Sequence, residues 1–430
     1  MQSDVSIFSR LHAGSTGDAQ SLRQAGMRRF EAVGLPRMNE EEWRFTDTQP
    51  LAEVDWQLPE RTPQAADLRA AHTMPGAVEI TLCNGRLASS PDPLPKGLYV
   101  GLLSQAPAEV AARARTLLGS AAPVNLSAFV ALNSAFLEDV IVIHVAKGAA
   151  IDPVVHLLSL ASSEGAPLLF SPRVLVIAEA DSILRIVETH VGDAPDEVFS
   201  NTVVEIFAGP GSVVDHYQAQ WNAPRTTAMQ STTAILQSAA TYSHHHASLS
   251  GKLIRNDLQV ILDGERADAT INGVVLLDGD RHVDNHTLIR HEKPNCTSHE
   301  LYKHVVAGEA RCVFKGKIFV QKDAQHTDSK QTSRTLLLSD RAFMESMPAL
   351  EIYADDVKCM HGSTIGPLDG QMLFYLRSRG LSADAAQHLL IYAFAADITA
   401  RMKAKAVRKR IESYIAQQQN LPQDLSIEAT

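Results

Sequence analysis

Apolar residues recur at Leu22, Ala25, Phe30 and Val33, close to helical spacing, and predict a helix over 18–33. Gly34 stands where a left-handed C-cap is wanted, and Pro36 lies just beyond it. A polar stretch marked by Pro59, Pro63 and Pro75 reads as a connection. Two more helical patterns follow over 107–118 and 127–136, the first opened by Pro107, which suits a first helical turn. The second ends at the acidic pair Glu138-Asp139. The texture changes at Val140. Short β-branched runs there alternate with tight turns of Gly, Asp and Ala.

Several of these turns resemble one another. Val145–Ala149, Ile177–Asp181 and Phe207–Gly211 recur about every 30 residues, each after a strand-like run. Later turns form at Asp263-Gly264, Asp278-Gly279 and Gly308-Glu309. Strand–turn units with almost no intervening helix cannot bury their apolar faces alone, so they must stack. Strand-rich sequence also runs well past the ~100 residues of one immunoglobulin-like sandwich. A parallel β-helix is therefore expected over 138–366, and the polar run Thr327–Ser333 is expected on an open solenoid face. Helical ends flank it. The region 1–137 reads as helix and linker. In 367–430 Asp369 and Ser382 each cap a helix, Gly380 separates the two, and a polar tail from Gln417 closes the chain.

Composition narrows the function. Hydrophobic residues at 45% and charged residues at 20% describe an ordinary globular protein. A net charge of -10 argues against a general nucleic-acid or anionic-membrane binder, because phosphate attracts a basic face. No apolar run reaches the roughly 20 residues of a bilayer crossing. The N-terminal residues lack an export-signal pattern, so a cytoplasmic location is expected. Four scattered cysteines without a CxxC pair are expected to be thiols, with Cys83 and Cys312 acting as small buried hydrophobes.

No GxSxG elbow, Walker-A loop or HExxH motif appears, so hydrolysis of ATP is expected from a partner and not from this chain. The most suggestive cluster is Cys359-Met360-His361. If the segment is a strand, thiol and imidazole project to one face, and sulfur with nitrogen suits iron, zinc or a cluster iron. Two ligands are too few for a closed site. Spacing leaves two readings: a turn-flanking Cys and His with no metal, or half a site that another chain completes. The triplet His244-His245-His246 reads more simply as a solvated or interface face than as a metal tract. Asp263, Asp278 and Asp280 could be carboxylate pairs of a β-helical carbohydrate-active enzyme, but Asp-Gly is common turn chemistry. The basic run from Arg401 to Arg410 lacks stacking aromatics and reads as a solvated face near a helix C-terminus. Its apolar companions Leu389, Leu390, Phe394 and Ile398 form either core or a partner-helix groove.

Longer motifs then add a resemblance. Gly34-Leu35-Pro36 followed by Glu41-Glu42-Trp43-Arg44-Phe45-Thr46-Asp47 resembles the N-terminal signature of the SufB/SufD family, on its SufD side. Phe314–Ile318 through Ala324–Asp328, Pro348–Ile352 through Asp355–Gly362, and Phe374–Gly380 resemble its core and C-terminal segments in order. The resemblance implies a right-handed parallel β-helix between helical ends and a non-catalytic scaffold for iron–sulfur cluster assembly. It implies a heterodimer with a SufB paralogue and docking of the ATPase SufC on the C-terminal helices, through Phe374, Tyr375, Leu389, Leu390, Phe394 and Ile398. A homodimer is expected when the chain is isolated. His361, with Cys359, would hold a transient Fe–S cluster shared with SufB, and Met360 would point to the opposite strand face. No nucleotide is expected on this chain, and a flavin in the complex is left unassigned.

Overall fold

The computed structural model describes residues 5–13, 19–60, 65–163 and 165–419. Most of the β-branched runs become strands of about ten residues, which wind into a β-solenoid of about 8 turns. Each full turn lays one strand in each of two ten-stranded sheets. Within one sheet the register is parallel and nearly unbroken. Thr241 pairs with Asp268, Asp268 with Thr297, Thr297 with Asp328 and Asp328 with Lys358, steps of 27, 29, 31 and 30 residues.

The recurring turns stack as well. Gly148, Asp181, Gly211, Ala239, Arg266, Asn295 and His326 all adopt positive φ. The amide of Asp181 donates to the carbonyl of Pro210, that of Gly211 to Ser238 and that of Ala239 to Glu265, so one corner becomes a hydrogen-bonded ladder.

The solenoid begins earlier than the sequence pattern indicates. Val78–Cys83 pairs in parallel with Val155–Ala161, and Leu98–Leu102 pairs antiparallel with Val140–Val145. The first third is thus not wholly helical: its strands close one end of the solenoid. Helices α1 (Ser6–Ala13), α2 (Gln20–Val33), α3 (Ala66–His72), α4 (Ala108–Leu117) and α5 (Ala128–Ala135) accompany them. Gly34 ends α2 at φ 71 with its amide on the Phe30 carbonyl, and Ser127 caps α5 by accepting the Val130 amide. Phe8 of α1, Phe30 of α2 and Phe129 of α5 join Trp43 and Trp56 in an apolar cluster on Phe199 and Met229 of one sheet.

At the other end α6 (Gly370–Ser378), α7 (Ala383–Thr399) and α8 (Lys405–Gln418) follow the last strand, with Asp369 and Ser382 capping α6 and α7. The expected polar tail is helical through Gln418, and 420–430 lie outside the described residues. Ile391, Tyr392, Ala395 and Ile398 of α7 and Val407, Ile411 and Ile415 of α8 pack on Val187, Tyr217, Leu249, Val274 and Val305 of the opposite sheet. The solenoid is therefore clasped on both faces. No helix among the described residues is long and apolar enough to cross a membrane.

Polar residues do not all face water. Inside the solenoid Glu188 accepts from Gln230 and lies 3.0 Å from His216 Nε2, which with His190 holds its carboxyl well below the usual range despite complete burial. His244 and His246 belong here, and His245 is buried on the opposite face of the strand under the C-terminal helices, which corrects the solvated reading. His244 and His246 are buried beside Tyr242 and Tyr302, and His245 stacks on Tyr217. Thr327–Ser333 is corrected likewise: Thr327, Ser329, Gln331 and Ser333 are buried while Asp328 and Lys330 are exposed, the alternation of a half-buried strand. The basic run splits across a turn: Arg401 donates to the Asp397 carbonyl at the C-terminus of α7, as expected, while Lys405, Arg408, Lys409 and Arg410 lie in the first turns of α8. Its Arg410 donates to the carbonyls of Ala71 and His72 at the end of α3.

Candidate functional site at the open end of the solenoid

Every inner turn of the solenoid has a neighbour on both sides, but the last does not. Phe343–Ile352 and Val357–Gly366 are the terminal strands of the two sheets. Val357–Gly366 is exposed along most of its length, and Tyr353 is 60% exposed, Met360 56% and Ile365 46%. An uncovered strand of this kind offers both hydrogen-bonding edges and apolar side chains to another chain.

Cys359 and His361 lie on this strand. The parallel register places Cys359 against Ser329 and His361 against Gln331, both buried interior residues of the preceding turn. In-register parallel strands keep side chains on one face, so thiol and imidazole share the interior face and Met360 takes the other. The expected strand is present, and the two side chains reach the surface only because no further turn covers them.

Cys359 is half-buried against Leu350 and Val357, beside the cluster of Ile318, Val320 and Ala354. Burial, with the Asp328 carboxylate nearby, pushes its thiol above the ordinary value. By itself it is a thiol at neutral pH, and becoming a ligand requires a cation that displaces the proton. Among the described residues no group of three or more His, Cys, Asp or Glu is placed to hold a metal ion. Cys83, Cys296 and Cys312 are buried, and burial pushes the Cys83 thiol up to about 11.

Beside the open turn, the segment Glu41–Thr46 clamps the outer sheet face. Lys315 reaches Glu41 at 2.9 Å and Glu42 at 2.7 Å. Arg255 lies 4.3 Å over the Trp43 ring and pairs with Asp257 and Asp284, and the Thr46 hydroxyl donates to Asp284 at 2.5 Å. Two motifs about 270 residues apart in sequence thus meet in space.

The helical surface is divided. Phe374 is 74% exposed and Tyr375 54%, both on α6, while Leu389 and Leu390 are half-buried on α7. Phe394 is half-buried under the Lys303 ammonium, 4.6 Å from its ring centre, and Lys303 also binds Asp397 at 2.7 Å. Ile398 is fully buried against the solenoid and is not available to a partner, which corrects that expectation. Asp263 and Asp278 sit at exposed turns facing Lys293 and Arg281 respectively, so turn structure accounts for them.

Sequence reasoning missed Glu300, Gln331 and Lys303. Alternation along each strand was the available signal, but it needs the register to tell inside from outside.

Residues 160–394 match the family model described as the SUF system FeS cluster assembly SufBD core domain, and 8–157 match the SufBD protein N-terminal region. An iron–sulfur cluster assembly SufBD family protein of Synechocystis is 30% identical over 410 residues, 92% of this chain and 90% of that one. The iron–sulfur cluster assembly protein SufD of Escherichia coli is 37% identical over 183 residues, 43% of each chain. The chloroplastic protein ABCI7 of Arabidopsis thaliana is 26% identical over 407 residues, 92% of this chain and 85% of that one.

Proposed function

The chain belongs to the SufBD family of iron–sulfur cluster assembly proteins, and on that premise we propose that it is a SufD-type scaffold with no turnover of its own. Its open last turn pairs with the corresponding turn of a SufB-type paralogue in the cytoplasm, and with a second copy of itself when that paralogue is absent. A nascent cluster, carried as cargo, forms at the junction, with His361 as this chain's ligand and Cys359 beside it. The exposed face of α6, led by Phe374 and Tyr375, receives the ATPase SufC.

One observation carries this reading: Cys359 and His361 share the interior face of the uncovered last turn of the solenoid. The half-complete ligand set also suits an assembler, since a site shared between chains releases its cargo when the junction shifts. A mixed thiolate, imidazole and carboxylate set is consistent with iron.

The test is anaerobic absorbance of the complex co-expressed with SufB and SufC, native against His361→Ala. Intact assembly with lost cluster absorbance is expected. Unchanged absorbance would assign the cluster to the partner alone and reduce this chain to architecture.

A further inference from the structure

One turn inside the open end, Glu300 and Gln331 stand in register on the strands Thr297–Val306 and Thr327–Leu337, and both side chains are buried. Gln331 Nε2 donates to Glu300 Oε2 at 2.5 Å. The other end of the carboxamide, Gln331 Oε1, is buried and has no hydrogen-bond partner. Leaving a buried carbonyl unmatched costs about 1–3 kcal/mol, so a donor is wanted there.

The residue next in register is His361. Neighbouring strands lie about 4.8 Å apart, the spacing at which stacked side chains of successive turns meet. The opposite sheet makes way for the amide. A Cβ on Gly316 would lie 2.2 Å from Gln331 Nε2, so only glycine leaves the carboxamide where it is. Glu300 anchors the amide nitrogen, Gly316 clears its space, and the free oxygen remains for the turn above.

We infer that Gln331 is a positioning residue for His361: its carboxamide oxygen, fixed by Glu300, accepts the imidazole N–H and leaves the other ring nitrogen free toward the open end. Ligating histidines commonly have the second nitrogen held in this way, which sets tautomer and ring orientation together. The inference rests on the reading of His361 as a ligand but is measurable without a cluster.

The experiment is side-chain NMR of the full chain labelled with ¹⁵N-histidine, with the His361 signals assigned by their loss in His361→Ala. One dominant tautomer is expected in the native chain and a mixture in Gln331→Leu. The exchanged pair Glu300→Gln with Gln331→Glu keeps both anchor and acceptor and restores the single tautomer. The signals of buried His244 and His304 report folding in each variant. Should Gln331→Leu not fold, Gly316→Ala displaces the amide from the opposite sheet and is expected to give the same mixture. A His361 tautomer indifferent to these changes overturns the inference. The two readings fail separately. Cluster absorbance that depends on His361, with a tautomer that ignores Gln331, removes positioning alone. The reverse pattern removes the ligand role alone.

Discussion

At the residue scale, burial sets the chemistry of the interior more than pairing does. Glu300 lies completely inside the solenoid, and desolvation raises its carboxyl to about 7 against the stabilising hydrogen bond from Gln331. The folded state therefore keeps a proton that the unfolded chain releases above its ordinary carboxyl value of 4.5. Stability from this group is present below 4.5 and is lost as pH rises toward about 7, by about 3 kcal/mol in all. Glu300→Gln removes the term while keeping a hydrogen-bonding side chain. Its melting temperature is expected to exceed the native one at pH 8 and to approach it at pH 5, as thermal melts at both values would record. An equal difference at the two pH values would mean that Glu300 is ionised in the folded state throughout. No feature of the sequence singles out Glu300, because a Glu in an alternating strand reads as solvent-facing until the register is known.

At the element scale, the C-terminal helices divide into an exposed part and a structural part. The sequence pattern marks an apolar stripe on α7 but does not say whether core or partner covers it. The structure gives Ile391 and Ile398 to the core with the solenoid, leaving Phe374 and Tyr375 of α6 outward. The helical end is therefore not a separable unit, because α7 and α8 share their core with the solenoid. Ile391→Ala is expected to cost about 2–5 kcal/mol of stability through the cavity it leaves, read from chemical denaturation. Phe374→Ala, with its ring mostly in water, is expected to change stability by less than about 0.5 kcal/mol. In pull-down against SufC, Phe374→Ala should nevertheless weaken capture. A Phe374→Ala chain that unfolds early, or that binds SufC as the native chain does, would move the docking surface elsewhere.

At the scale of the whole molecule, the solenoid is a long stack with neutral histidines buried in its interior and, at His245, beneath its C-terminal helices. Burial holds His245, His291 and His304 down to about 4 and His246 to about 3, and pushes His244 well below its ordinary value. In the unfolded chain each takes up a proton near 6.5. The unfolded state thus binds more protons between 6.5 and about 4, and stability falls as pH falls through that window. Glu300 acts in the opposite sense but is one group against several. A steep drop in melting temperature from pH 6.5 to 4.5 is expected in calorimetry, and a flat profile would show that the histidines already charge in the fold.

Periodicity by itself determined much of this protein. The 30-residue recurrence of turns, the switch near Val140 from helical to strand texture, and the caps at Asp369 and Ser382 are local signals, set by backbone stereochemistry and short-range hydrogen bonds. They gave the solenoid and its helical ends. Sequence also placed Cys359 and His361 on one strand face, since alternation needs no partner. It did not show the strands of 78–102, where the helices and prolines on either side obscure three short runs. Nor could it show which polar residues are inside, because a buried histidine and a solvated one look alike until neighbouring turns are stacked. Only the tertiary structure decided that His244 and His246 line the interior while His245 lies under the C-terminal helices, that Glu41–Thr46 reaches across to Lys315 and Asp284, and that the last turn stays open. Those facts depend on register and on contacts between residues far apart in the chain, and no window of sequence contains both partners.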